Sequence, residues 1–128
     1  MTKDEALTFI PDSDPESISS DIAGFGDLLV STQIPIYEDG SLELGDIRAQ
    51  TDCTLRNLKR SLEGAGSSMS DVLHLTIYLT DMSERSIFNE VYRAHFKKPY
   101  PVRCAVGVAA LAMEGIRVEV MALAAKRR

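Results

Sequence analysis

The sequence has no tryptophan, only two cysteines and only two histidines, and it lacks any long apolar run. Cys53 and Cys104 do not have the spacing of a metal-binding motif, and we expect two free thiols rather than a disulfide. No stretch of about 20 apolar residues is present, and residues 1–5 (MTKDE) do not resemble an apolar signal segment. The sequence therefore predicts a cytoplasmic protein that does not enter the membrane.

Positive charge is also scarce, because 14 lysines and arginines stand against 19 acidic residues and give a formal net charge of −5. This balance repels polyanions and removes the general attraction on which nucleic-acid binders depend. Residues 126–128 (KRR) are consecutive basic residues, but they follow an apolar run and are typical of a solvated tail. Nucleic acid is therefore not expected as a partner.

The composition that is present is that of a folded globular protein, with 45% hydrophobic and 26% charged residues. A domain commonly contains about 100–200 residues, so we expect one domain over residues 1–128. No catalytic triad, zinc signature or phosphate-binding glycine loop is recognisable in it.

A helical pattern begins near the middle of the chain. Asp46 is a candidate N-cap, and Gly64 and Gly66 provide a stop. Apolar residues recur between them at intervals typical of one helix face: Ile47, Leu55, Leu58, Leu62 and Ala65.

A second helix is predicted after Asp81, which together with Glu84 resembles a capping box. Pro99 and Pro101 end this helix. Its apolar face consists of Phe88, Val91, Tyr92 and Phe96.

Strands are predicted in the remaining apolar and β-branched segments, namely residues 7–10, 28–30, 72–79, 102–110 and 116–125. The order of elements predicts an α+β fold, in which two helices cover one face of a mostly antiparallel or mixed sheet. The other face is left open, and neighbouring subunits would cover it economically, so we expect an oligomer.

Two charged residues occupy strand positions where apolar residues are expected. Arg103 follows Pro101 and Val102, and Glu119 interrupts the last apolar strand. If these strands are adjacent and antiparallel, the guanidinium and the carboxylate lie close together. From the residues alone, a structural salt bridge, or simple alternation on an exposed face for Glu119, remains an alternative to a ligand site. His74, in the middle of its strand, has no nucleophile beside it in sequence and is assigned a structural or surface role.

Five motifs in order resemble the RidA (YjgF-like) family over about residues 26–125. They are 26–35 (GDLLVSTQIP), 49–51 with 55–58 (AQT and LRNL), 71–82 (DVLHLTIYLTDM), 88–92 (FNEVY), and 101–103 with 118–120 (PVR and VEV). Each motif is weak alone, but their common order and spacing are specific.

This resemblance implies a chorismate-mutase-like fold and a homotrimer with ligand pockets between subunits. It also implies a deaminase that hydrolyses reactive enamines and imines, such as 2-aminoacrylate and its imine 2-iminopropionate, to a 2-keto acid and ammonia without a cofactor. A guanidinium suits a carboxylate, so Arg103 would bind the substrate, and Glu119 would hold or deprotonate the attacking water. The pocket would be lined by Ser31, Thr32, Asn89 and Ala105.

The sequence also departs from the family pattern. Ser19 and Ser20 stand where the family often has a pocket tyrosine, Thr32 replaces a usual glycine, and Ala105 replaces a frequent cysteine. Two alternatives therefore remain open beside the deaminase. One is a trimeric ligand-binding or interaction module without fast chemistry. The other is an endoribonuclease, an activity ascribed to some family members that the acidic charge disfavours.

Overall fold

A computed structural model describes residues 6–127 and shows an α+β fold. Its strands are β1 (Leu7–Pro11), β2 (Ser20–Phe25), β3 (Leu28–Gln33), β4 (Val72–Leu79), β5 (Val102–Gly107) and β6 (Val118–Ala125). Its α-helices are α1 (Ile47–Gly64) and α2 (Arg85–His95), and short 3₁₀ helices cover Met69–Asp71 and Met82–Glu84.

The strands form one mixed sheet in the order β1-β2-β3-β6-β4-β5. Only β4 and β5 pair in parallel, while the other neighbours are antiparallel. The buried side chains of both helices form a single core cluster with every second residue of the inner strands. Both helices therefore pack on one face of the sheet, as the sequence predicted.

The first helix begins and ends where its sequence pattern predicted. Asp46 is the N-cap, and its Oδ1 accepts a hydrogen bond of 2.9 Å from the backbone N–H of Ala49. The helix ends at Gly64, and Gly66 follows with a φ of +84°, a conformation that favours glycine. All five residues of the predicted apolar stripe are buried.

The start of the second helix differs from the predicted capping box. Asp81 accepts a hydrogen bond from Ser83 and caps the 3₁₀ helix, so α2 begins only at Arg85. Glu84 does not return to the cap, because its two carboxylate oxygens accept hydrogen bonds of 3.1 and 3.2 Å from Arg117. A tertiary ion pair thus replaces the expected local contact.

Strand β2 was not predicted from the sequence. Its segment contains serine, aspartate and glycine, and Ile22 is its only fully buried side chain. Two predicted strands are shorter in the structure, since β5 stops at Gly107 and β6 begins at Val118.

Lys126 and Arg127 are exposed, as predicted for a solvated tail. Arg127 nevertheless forms an ion pair of 2.6 Å with the buried carboxylate of Asp71, and its backbone N–H donates to the carbonyl of Gly66. Residue 128 lies outside the described residues.

The sheet face opposite the helices, called the uncovered face below, carries exposed apolar side chains. Strand register places on it Leu7, Phe9, Phe25, Leu28, Val102 and Val106, each more than a third exposed. Exposed apolar side chains on one face of a sheet are typical of an association site. Among residues 6–127, no helix combines the length and apolar character needed to cross a membrane.

Candidate functional site

Arg103 lies on the edge strand β5, on the sheet face that the helices cover. Its register partner Leu75 is fully buried in the core beneath the helices. From α2, Asn89 accepts a 2.6 Å hydrogen bond from Nη2 of Arg103. The guanidinium carbon lies 4.5 Å from the centre of the Tyr92 ring and 5.7 Å from that of Phe88. One turn of helix therefore holds the guanidinium by hydrogen bonding and cation–π attraction.

The charge of Arg103 is not neutralised inside the described part of the chain. Among residues 6–127, Arg103 forms no ion pair with a carboxylate, and its guanidinium donates a hydrogen bond to Asn89. A planar guanidinium has five N–H donors in a fork that matches a carboxylate. The structure thus presents a partly buried cation with free donors, which is suited to an anionic ligand.

Glu119 lies in β6 on the uncovered face, opposite Tyr78 of β4. It is partly buried, and within residues 6–127 its carboxylate has neither a hydrogen bond nor an ion pair. Burial raises the pKa of Glu119 above its ordinary value, because the charged form loses solvation. Such a carboxyl group exchanges a proton at a pH closer to neutral.

Arg103 and Glu119 do not meet within one chain. Strand β6 pairs with β3 and β4, so β4 lies between the two strands that carry them. The register also assigns them to opposite faces, since Arg103 aligns with buried Leu75 and Glu119 with Tyr78. The condition that their strands are adjacent is therefore not met, and the alternative of an intrachain salt bridge is wrong.

Three further predicted residues occupy different environments. Ala105 is on the same face of β5 as Arg103, two residues along, and packs against the core. Thr32 aligns with Met121 and is exposed on the uncovered face. Ser31 is only 2% exposed and points inward.

Ser31 belongs to a polar network that the sequence did not reveal. Its hydroxyl donates to the carbonyl of Asp21 at 3.0 Å and accepts from Nε2 of Gln33 at 2.8 Å. Ser61 of α1 completes the network by donating to the Asp21 carboxylate at 2.9 Å. The sequence signal for this network is the pair of polar residues Ser31 and Gln33 at inward-facing positions of β3. The hydroxyl of Ser31 is thus already in use.

No tyrosine replaces the one that the family often has before the Gly-Asp strand. Ser19 and Ser20 are both exposed, and Ser20 begins β2. Tyr92 and Phe88 were predicted only as core residues, although their spacing with Asn89 on α2 places all three around Arg103.

Other candidate groups lie apart from Arg103 and Glu119. Both cysteines are free, as predicted. His74 Nε2 is 2.9 Å from the hydroxyl of Thr76, a contact that fits a structural role. A groove of about 560 Å³ lies beside α1 and contains none of the predicted site residues. Its lining is Tyr37, Glu38, Glu43, Ala49, Asp52, Cys53, Arg56, Asn57 and Arg60.

Comparison with known proteins agrees with the fold. The family profile described as Endoribonuclease L-PSP matches residues 19–126. The RutC family protein PH0854 of Pyrococcus horikoshii is 41% identical over 100 residues, covering 77% of this chain and 79% of that protein. "Putative reactive intermediate deaminase TdcF" of Escherichia coli is 30% identical over 102 residues, covering 77% and 78%. The crystal structure of RidA from the Antarctic bacterium Psychrobacter sp. PAMC 21119 superimposes with a TM-score of 0.81 at 31% identity, covering 94% and 98%.

Proposed function

This chain belongs to the endoribonuclease L-PSP (RidA/YjgF) family, and we propose that it is an enamine/imine deaminase. Its substrates would be reactive 2-amino-enoates and 2-imino acids, such as 2-aminoacrylate, 2-iminopropanoate and 2-iminobutanoate. The observation that carries the proposal is Arg103, whose guanidinium is fixed by α2 and has no carboxylate partner among residues 6–127. These substrates share a carboxylate, the group that such a guanidinium binds best.

We propose a homotrimer whose pockets combine residues of two subunits. Because Arg103 and Glu119 face opposite sides of their sheet, one pocket takes Arg103 from one subunit and Glu119 from its neighbour. The exposed apolar side chains of the uncovered face supply the surface for this association. Light scattering tests the assembly, for which about 42 kDa is expected from three chains of 14.1 kDa.

The reaction adds water across the C=N bond of the imino acid. Arg103 binds the substrate carboxylate, and Glu119 removes a proton from a water molecule whose oxygen attacks the imine carbon. Glu119 returns that proton to the imine nitrogen, which gives a tetrahedral carbinolamine. Glu119 then carries the carbinolamine hydroxyl proton to the same nitrogen, the C–N bond breaks with release of ammonia, and the carbon becomes the keto carbon of a 2-keto acid. No cofactor takes part in this sequence.

The other predicted residues would shape the pocket. Asn89 fixes Arg103 and offers its amide N–H₂ group to the ligand, since its oxygen already accepts from the guanidinium. Ala105 lies beside Arg103 on β5, while Ser31 and Thr32 would contribute mainly backbone groups. Thr32 and Ala105, which replace a glycine and a cysteine of the family, are the positions that would change substrate preference.

A coupled assay tests the proposal. A pyridoxal-phosphate dehydratase generates 2-amino-enoates from serine or threonine, and the release of 2-keto acid is followed with and without the protein. We expect faster release with the purified protein, and an added chelator should leave the rate unchanged. Rates equal to spontaneous hydrolysis for every amino-enoate would contradict the proposal.

A trimeric binding module without fast chemistry is the second candidate. A binding module is favoured because the Ser31 hydroxyl already donates to Asp21 and accepts from Gln33. The pocket is then left with fewer polar groups. Keto-acid binding without accelerated hydrolysis would identify this case. Cleavage of RNA by the same preparation, lost in Arg103→Met, would instead favour the endoribonuclease.

A further inference from the structure

The side chain of Tyr92 is buried, and its hydroxyl makes no well-formed hydrogen bond within residues 6–127, although it lies close to the guanidinium of Arg103. The residue is 4% exposed, and its ring is stacked with that of Phe96, 4.6 Å away, and approaches that of Tyr100, 5.9 Å away. Buried polar groups in native proteins are normally paired, and unpaired ones occur often at functional positions.

Tyr92 is also the closer of the two aromatic rings to the guanidinium of Arg103. The distance from the guanidinium carbon to the ring centre is 4.5 Å for Tyr92 and 5.7 Å for Phe88. Burial raises the pKa of Tyr92, an effect that the nearby Arg103 opposes, so the phenol is neutral at physiological pH. A neutral aromatic face attracts a stacked guanidinium.

We infer that Tyr92 is a positioning residue that holds the guanidinium plane of Arg103 in the orientation required for a carboxylate ligand. The inference rests on the proposed role of Arg103 in binding the substrate carboxylate. Stacking on the ring fixes the tilt of the guanidinium, and the 2.6 Å hydrogen bond to Asn89 fixes its rotation within that plane. The remaining N–H donors then point along the plane, toward a ligand at its edge. A free arginine would lose much rotamer entropy on binding, and this arrangement removes part of that loss beforehand.

A purely structural Tyr92 makes a different prediction from a positioning Tyr92. A structural ring contributes to the core equally with Phe96, which packs on the same ring but makes no cation–π contact with Arg103 within residues 6–127. A positioning ring must in addition change how Arg103 behaves. Phe96→Leu is therefore the matched control for Tyr92→Leu.

The test compares Tyr92→Phe, Tyr92→Leu and Phe96→Leu by titration with 2-oxobutyrate and by NMR of the Arg103 Nε–H group. Tyr92→Phe keeps the ring, so its dissociation constant should remain within about twofold of wild type. Tyr92→Leu should raise the dissociation constant roughly 3- to 30-fold, the range of a desolvated cation–π contact, and speed the exchange of the Arg103 Nε–H proton with water, because the guanidinium is no longer held by the ring. Phe96→Leu should lower the melting temperature without either effect. In kinetics, Tyr92→Leu should raise KM more than it lowers kcat.

The NMR signal separates this inference from the proposed function. If wild type binds no keto acid, the proposed function fails, but faster Nε–H exchange confined to Tyr92→Leu still supports positioning. An unchanged Nε–H exchange rate in a folded Tyr92→Leu trimer, or equal loss of affinity in Phe96→Leu, overturns the inference. Should Tyr92→Leu not fold, Tyr92→Met fills more of the same volume without a ring and is judged by the same criteria.

Discussion

Arg103 and Glu119 project from opposite faces of one sheet, with β4 between the strands that carry them. Neither side chain has an oppositely charged partner among residues 6–127. Within a single chain, the two residues of the proposed reaction therefore cannot line the same pocket. Association through the uncovered face is the arrangement that would unite them.

Mixed trimers provide the first prediction. Arg103→Met and Glu119→Gln should each abolish most deaminase activity when expressed alone. When the two variants are co-expressed, about a quarter of the interfaces should combine an intact Arg103 with an intact Glu119, because each pocket draws on two chains. Activity should therefore return to about a quarter of wild type, as measured by the coupled assay. Confirmed mixed trimers without any recovery would show that the pocket is not shared between subunits.

Titration of Glu119 provides the second prediction. Its raised pKa means that the folded protein binds this proton more tightly than the unfolded chain does. The charged carboxylate therefore costs stability at neutral pH, and this cost disappears as the pH falls below the ordinary value of 4.5. Glu119→Gln should melt at a higher temperature than wild type at pH 7 and at the same temperature near pH 4. Wild-type activity should rise with pH through the raised pKa.

Glu114→Gln is the matched control, because it removes the same charge from an exposed turn. If it reproduces the stability gain at pH 7, net charge is responsible rather than the burial of Glu119. A melting temperature of Glu119→Gln equal to wild type at both pH values would also contradict the prediction.

Local patterns predicted the helices well because caps and stripes act over a few residues. Asp46, Gly64 and the apolar stripe of α1 were confirmed in place. The weakly apolar β2 was missed because its pairing on both sides supplies the order that its own residues do not. Strand order was missed for a related reason, since the insertion of β6 between β3 and β4 depends on partners distant in sequence.

The site could be predicted by residue type but not by geometry. Arg103 and Glu119 were conspicuous as charges in apolar strands, whereas the face of each residue depends on the register with β4. Tyr92 was assigned to the core, which is correct, but its contact with Arg103 joins α2 to a strand that follows it in the chain. The parallel β4–β5 pairing beneath α2 creates that contact, and no local pattern encodes it.

Gln50 supplies the third prediction, on stability. Its side chain is fully buried, and its Nε2 donates to the carbonyls of Gly45 and Gly115 at 3.1 Å each. Its Oε1 accepts a 2.7 Å hydrogen bond from the backbone N–H of Arg117. Gln50→Leu leaves these three backbone groups unpaired, and we expect a loss of about 2–4 kcal/mol in the free energy of unfolding by urea.

The control for Gln50 is Lys59→Leu, which places leucine on an exposed position of the same helix. It should change the unfolding free energy by less than about 0.5 kcal/mol. A loss from Gln50→Leu no larger than that of the control would mean that water satisfies the three backbone groups.

Arg103→Lys tests the residue on which the proposed function depends. Lysine keeps the positive charge but has no planar fork, so it cannot form the paired hydrogen bonds that a guanidinium makes with a carboxylate. Binding of pyruvate or 2-oxobutyrate should weaken by about 1.5–3 kcal/mol, the scale of a charge-assisted hydrogen bond. The melting temperature should fall only slightly, because Arg103 forms no ion pair within residues 6–127 and lysine keeps a cation beside the Tyr92 ring, losing mainly the hydrogen bond to Asn89. Arg93→Lys, on the exposed side of α2, controls for the effect of an arginine-to-lysine substitution itself.

Since Glu119 lies on the other face of the sheet, an intrachain salt bridge to Arg103 does not explain any loss of affinity. Unchanged keto-acid affinity in a folded Arg103→Lys trimer would remove Arg103 from the site.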